Sequence, residues 1–156
     1  MIELSAAQDA FGAALGAILQ REGGVALLID YGRSEPGIGD TLQALKAHRK
    51  IPPLESPGLA DLTVHADFPA VAAAARKAGC LTGPILTQGD FLQRMGIRQR
   101  AESLMRGSPD RAETLQRQLA RLVEPDQMGE LFKVLALHSP AALIPPGFEP
   151  PEAEET

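Results

Sequence analysis

The sequence predicts an α/β fold, and three observations carry that expectation. Val25-Ala26-Leu27-Leu28-Ile29 is a continuous apolar run bounded by Gly23-Gly24 and Gly32. A run of this length fits a strand buried on both faces of a parallel sheet covered by helices. Two more strand-length runs follow at residues 81–86 and 131–137, and the segments around them repeat apolar residues at the helical period. The 156 residues suit about one domain. With 44% hydrophobic and 22% charged residues, the composition excludes a wholly disordered chain.

Residues 5–21 read as an amphipathic helix. Ser5 is its N-cap, Ala7, Phe11, Ala14, Leu15 and Ile18 form its apolar face, and Gly23-Gly24 ends it. The first strand then runs into Asp30-Tyr31-Gly32. Residues 33–39 form a loop, and 41–45 an extended segment. Residues 51–60, with Pro52, Pro53, Pro57 and Gly58, are irregular. Asp67 caps a helix whose first turn holds Pro69 and whose end is Gly79. Gly83-Pro84 weakens the start of the strand at 81–86. Thr87 then caps a helix carrying Phe91, Leu92 and Met95, which Gly96 breaks, and Asp90 stands three residues after Thr87 as in a capping box. Residues 97–104 and 109–123 are two further helices. The strand at 131–137 carries Lys133, as an edge or partly exposed strand allows. Residues 139–156, with five prolines and four glutamates, read as a disordered tail.

Several classes of function are excluded. No apolar run reaches the roughly 18–20 residues that cross a bilayer. The single cysteine, Cys80, allows no intrachain disulfide or multi-cysteine zinc site, and the three histidines follow no metal-ligand spacing. A net charge of −5 and 4% aromatic residues argue against nucleic-acid binding. The start of the chain shows no signal peptide, so a cytoplasmic, reducing location is the expectation. Residues 94–124 depart from the acidic average with seven arginines against four acids. That excess fits a solvated helix face or a docking surface for an anionic partner.

Function enters through ordered motifs. Leu27-Leu28-Ile29-Asp30-Tyr31-Gly32, Ala60-Asp61-Leu62-Thr63 with Asp67-Phe68, Thr87-Gln88-Gly89 running to Met95-Gly96-Ile97, and Met128-Gly129 before the last strand together resemble the MidA-like family of class I S-adenosylmethionine-dependent methyltransferases. The mitochondrial members of that family are protein-arginine methyltransferases that assist assembly of respiratory complex I. The resemblance covers residues 10–138 and only the carboxyl-terminal part of the family. It implies the carboxyl half of a doubly wound, Rossmann-like sheet, in which a final antiparallel strand slots between two parallel ones, with a helical insertion at about 88–123.

The resemblance also implies S-adenosylmethionine as cofactor and a protein substrate, such as a complex I subunit. The matched motifs supply Asp30, Asp61 and Asp67 as candidate catalytic carboxylates. Tyr31, Thr63, His65, Thr87 and Gln88 are the polar candidates for substrate binding. Caps and loop hydrogen bonds are the competing role for each of them. The cofactor-binding glycine turn is missing, because Gly37-Ile38-Gly39, the one Gly-x-Gly, leads to no clear helix. Two readings stay open, a methyltransferase fragment and an inactive binding or assembly module. In either, the sheet edge at residues 25–29 is left open and invites homo-oligomerisation.

Overall fold

The computed structural model describes residues 3–149. Helix α1 (Ala6–Glu22) leads into β1 (Val25–Arg33), followed by β2 (Gln43–Lys46), β3 (Arg49–Ile51), β4 (Asp61–Thr63), β5 (Ala66–Asp67) and α2 (Phe68–Lys77). Then come β6 (Leu81–Thr82), β7 (Leu86–Thr87), α3 (Gln88–Arg94), α4 (Ile97–Gly107), α5 (Ala112–Val123) and β8 (Phe132–His138). The main sheet is mixed. β8 lies between β1 on one side and β6 and β7 on the other, antiparallel to all three, and β5 extends the sheet beyond β1 in parallel. β3, β2 and β4 form a second, small antiparallel sheet. No described helix is long and apolar enough to cross a membrane.

The local punctuation produces the expected helix ends. The Ser5 hydroxyl accepts from the Gln8 N–H, and Gly23 closes α1 at φ 79°. The Asp67 side chain accepts from the Ala70 N–H at the start of α2. The Thr87 hydroxyl accepts from the Asp90 N–H and donates to the Asp90 carboxylate at 2.8 Å.

The core sits around β8, where Val134, Leu135, Ala136 and Leu137 are 0% exposed. Side chains alternate across a sheet. Leu135 and Leu137 therefore join Leu28 and Ala26 against α1 and α2, while Val134 and Ala136 meet Leu86, Phe91 and Phe148 on the opposite face. Lys133 thus belongs to a central strand rather than an edge strand, and is tolerated because it stands at the strand's end.

Four expectations need correction. β1 is not buried on both faces: Val25, Leu27 and Ile29 are 46%, 45% and 51% exposed, and only Gly32 and Arg33 are paired on the side away from β8. Of the expected α1 face only Leu15 packs against the core, while Ala7, Phe11, Ala14 and Ile18 are exposed; the buried residues are Gly12, Gly16 and Leu19, because the two glycines let the backbone close on Val71 and Ala75 of α2. The strand at 81–86 is split into β6 and β7 around Gly83-Pro84. Residue 51 belongs to a hairpin, β2–β3, turned by Ala47 and His48 at φ 49° and 61°, the geometry of a type I′ turn.

The segment assigned to a tail also differs as far as it is described. Phe148 is buried beside Phe91, with ring centroids 5.6 Å apart. Gly83 makes room for it, since a Cβ there would lie 2.6 Å from the Phe148 ring. Residues 150–156, the rest of the expected tail, lie outside the described residues.

Candidate functional site

Polar groups from distant segments meet where β1 ends. Gly32 passes so close to β5 that a Cβ would lie 2.4 Å from the Ala66 carbonyl oxygen, so glycine is required for the two strands to meet. The next residue, Arg33, pairs with Asp67, and the two side chains are 19% and 20% exposed. Arg33 also donates to the Gly37 carbonyl at 2.8 Å. Gln8 of α1 accepts from the Asp67 N–H at 2.7 Å. The Glu3 carboxylate accepts from both the N–H and the hydroxyl of Thr41 at 2.9 Å, and these bonds hold its pKa below the ordinary value. The Thr41 hydroxyl in turn accepts from the His65 N–H. The Tyr31 ring stands edge-on between His65 and Phe132, at 5.9 Å from each.

Two cavities open on this junction. One of about 530 Å³ runs along β1 and is lined by Gln8, Phe11, Leu28, Asp30, Val64 and Phe68, among others. The second, of about 370 Å³, is lined by Glu3, Gln8, Arg33, His65 and Asp67. One Asp30 oxygen accepts from the Tyr31 N–H at 2.8 Å. Among the described residues no cation lies within ion-pair distance of that carboxylate. Across the sheet, Asp30, Lys133 and Thr87 are in register on β1, β8 and β7. Their side chains stand in one row, with Thr87 ~10 Å from Asp30 by strand spacing. Burial pushes the Lys133 ammonium below its ordinary pKa, and the nearby Glu130 offsets part of that shift.

The structure brings Tyr31, His65 and Asp67 together at the end of β1, with the Tyr31 ring against His65 and with His65 and Asp67 lining the second cavity. Asp30, whose side chain points to the opposite face of β1 from Tyr31, lines the first cavity, and the rest are not brought in. Both Asp67 oxygens are engaged, one by the α2 cap and one by Arg33. Asp61 and Thr63 sit at the two ends of β4 in the small sheet, opposite Leu45 and Gln43. Thr63 is half-buried, two residues before His65. Thr87 ends β7 and caps α3. Gln88 is buried and donates to the Leu122 carbonyl at 2.9 Å, tying α3 to α5. Sequence reasoning missed Arg33, Glu3, Gln8 and Thr41, which come from distant segments. Of these only Arg33 carried a signal, as a charge directly after Asp30-Tyr31-Gly32.

The described residues do not fit a cradle for S-adenosylmethionine. Gly37-Ile38-Gly39 lies in an open loop with Ile38 exposed and nothing near Gly39, and it leads to β2 rather than to a helix N-terminus. The cavity along β1 holds a carboxylate with one oxygen bonded to the Tyr31 N–H, near the end of a strand where α/β proteins place ligands.

Comparison with known proteins gives a consistent picture. A family model described as "Putative S-adenosyl-L-methionine-dependent methyltransferase" matches residues 1–85. The chain is 40% identical over 122 residues to the mitochondrial protein arginine methyltransferase NDUFAF7 homolog of Drosophila melanogaster, covering 76% of the chain and 28% of that protein. It is 35% identical over 130 residues to protein arginine methyltransferase NDUFAF7 of Danio rerio, covering 83% and 30%. A crystal structure from Burkholderia thailandensis superimposes with a TM-score of 0.80 at 28% identity, over 96% of this chain and 39% of that one. Another from the same organism, bound to S-adenosyl-homocysteine, superimposes with a TM-score of 0.73 at 28% identity, over 92% and 37%. The chain therefore spans less than a third of the length of these two relatives. With a family model matched over more than half of its residues and these relatives in agreement, the chain belongs to the MidA-like family of S-adenosyl-L-methionine-dependent methyltransferases.

Proposed function

We propose that this chain is the carboxyl-terminal, acceptor-side part of a protein-arginine methyltransferase. On this reading residues 1–138 are half of a doubly wound methyltransferase sheet with a helical insertion at about 88–123. The remainder of the protein holds S-adenosylmethionine. The substrate is an arginine on a partner protein, such as a respiratory complex I subunit, and the activity assists assembly of that complex. The observation that carries the reading is the unpaired Asp30 carboxylate at the mouth of the cavity along β1. It is supported by the names of the relatives, which are protein arginine methyltransferases.

The chemistry follows from the residues present. A carboxylate with a free oxygen accepts hydrogen bonds from a guanidinium and fixes its orientation. Such positioning contributes much of the acceleration in transfer reactions. Asp30 is the acceptor carboxylate, with Gln8, Val64 and Phe68 lining its cavity, and Tyr31 and His65 form an aromatic contact on the opposite face of β1. Asp67, engaged by Arg33, ties β5 to the end of β1. Asp61, Thr63, Thr87 and Gln88 stabilise the surrounding elements. The open β1 edge receives a strand, either from the remainder of the protein or from a second copy. The eukaryotic relatives are named mitochondrial, while this chain is read as cytoplasmic.

A second reading is an inactive binding or assembly module. Calorimetric titration of the 156-residue chain with S-adenosylmethionine is expected to show no saturable binding. One-to-one binding in the low micromolar range, about −8 kcal/mol, would overturn the acceptor-side assignment. Transfer of tritiated methyl groups to an arginine peptide by a full-length family member separates the two readings. Transfer supports the enzyme, and no transfer in a folded, cofactor-binding protein supports the module.

A further inference from the structure

The helical insertion carries a surface that methyl transfer does not use. α4 and α5 pack side by side and leave between them a cleft of about 200 Å³. Its walls are aliphatic, from Ile97, Ala101 and Leu104 on α4 and Leu115, Leu119 and Leu122 on α5. Leu104 is 44% exposed at its mouth. Arg100 and Gln118 line the cleft beside these residues. Arg98 and Arg106 on α4, with Arg117 and Arg121 on α5, are exposed on the same two helices.

These arginines have little to do within the chain. Among the described residues their one contact with an acid is Arg106 to Glu102 at 4.0 Å. Arg98 donates to the Gln93 side chain and Arg117 to the Thr114 hydroxyl. Segment 94–124 has an excess of three positive charges in a chain of net charge −5. Arg100 lines the cleft and Arg98 and Arg121 flank it, none of them paired with an acid among the described residues, while Arg106 and Arg117 stand on the far faces of their helices. An apolar cleft with these three guanidinium groups is complementary to a segment with apolar anchors and flanking carboxylates. The helices, 11 and 12 residues long, are about three turns each, enough to hold anchors at i, i+4 and i+7 of a docked helix. Aliphatic walls offer no ring for base stacking, which disfavours a nucleic acid.

We infer that the α4–α5 cleft docks an acidic amphipathic helix of a partner protein. The assignment does not depend on methyl transfer, so it stands or falls separately from the function proposed above. The probe is a fluorescein-labelled helical peptide of about four turns, with leucines at i, i+4 and i+7 and glutamates flanking them. It is titrated with the full chain and followed by fluorescence anisotropy. Saturable binding is expected, weakened at least about tenfold by Leu104→Gln and by the pair Arg100→Glu and Arg121→Glu, and weakened by added salt. Both variants alter exposed residues, and circular dichroism verifies their fold; should Leu104→Gln unfold the chain, the arginine pair decides alone. Three results would overturn the inference. One is equal binding of a peptide with lysine in place of glutamate. Another is tighter binding of a labelled single-stranded oligonucleotide that displaces the peptide. The third is self-association of the chain, seen by sedimentation velocity and abolished by Leu104→Gln, which would make a second copy the occupant.

Discussion

Replacing Asp67 separates two contributions that meet on one carboxylate. One oxygen accepts from the Ala70 N–H and caps α2, while the other holds Arg33 in a pair whose side chains are about four-fifths covered. An N-cap side chain contributes about 1 kcal/mol. Exposed ion pairs contribute up to about 1 kcal/mol, and partial burial of a charge-assisted bond raises that to about 1–1.5 kcal/mol after solvent screening. Asp67→Ala removes both and should cost about 2–3 kcal/mol. Asp67→Asn keeps a capping oxygen of nearly equal quality and should cost only about 1 kcal/mol. Urea denaturation of the two variants, with Arg33→Met and the double variant Arg33→Met/Asp67→Asn, measures the coupling directly. We expect a coupling of about 1 kcal/mol between Arg33 and Asp67. Equal losses for Asn and Ala, or a coupling below about 0.3 kcal/mol, would refute the division between cap and ion pair.

Gly12→Ala should destabilise by about 1–2 kcal/mol in urea melts: its Cβ would lie 2.6 Å from the Val71 carbonyl oxygen, and overpacking outweighs the ~1 kcal/mol gain in helix propensity. Gly107→Ala, with nothing within 4 Å, should not destabilise, and a loss comparable to that of Gly12→Ala would dismiss the packing argument. Ala47→Asn with His48→Gly should raise stability by about 1 kcal/mol, because both positions require positive φ; an unchanged midpoint would count against strain at the hairpin. In a full-length family member, Leu28→Asp should prevent folding, while Asp30→Asn should keep the melting temperature and lower methyl transfer, and retained transfer per folded molecule would remove Asp30 from the site. Burial raises the Cys80 thiol above its ordinary pKa. Its contribution to stability is therefore complete below that ordinary value and is lost as pH rises through the folded one; iodoacetamide at pH 8 should label it only in urea, and rapid labelling of the folded chain would contradict its burial.

Elements governed by local chemistry were legible in the sequence. α2 could be read from Asp67, Pro69 and Gly79, because a cap, a first-turn proline and a terminal glycine act within a few residues of themselves. α1 was legible as a helix but not in its orientation. Apolar periodicity finds Phe11 and Ile18, whereas the contact with α2 is made by Gly12 and Gly16, whose value is their lack of a side chain. The β2–β3 hairpin escaped because Ala47-His48 carries none of the usual turn chemistry. The place of Asp30 near the carboxyl end of β1 was legible from the apolar run before it. Asp61 looked equivalent, yet it follows a loop into the small sheet, a matter of tertiary pairing that no local pattern encodes. Thr87 and Gln88 are polar residues of a helix start, and cap and tether duties account for their contacts.

The position of β8 governs the order in which the chain can fold. Its partner β1 meets it at Val25↔His138 through Tyr31↔Phe132, pairs separated by more than one hundred residues. Contacts of such separation are slow to form, because loop closure must precede any gain from pairing. During synthesis α1, β1 and α2 emerge early and can assemble locally through Gly12 and Gly16. β6 and β7, however, have no strand to pair with until residues 132–138 have been made. Until then the backbone of β1 has no strand partner apart from its short pairing with β5. Nascent chains stalled before residue 132 should therefore recruit chaperones, and chains released past residue 138 should not.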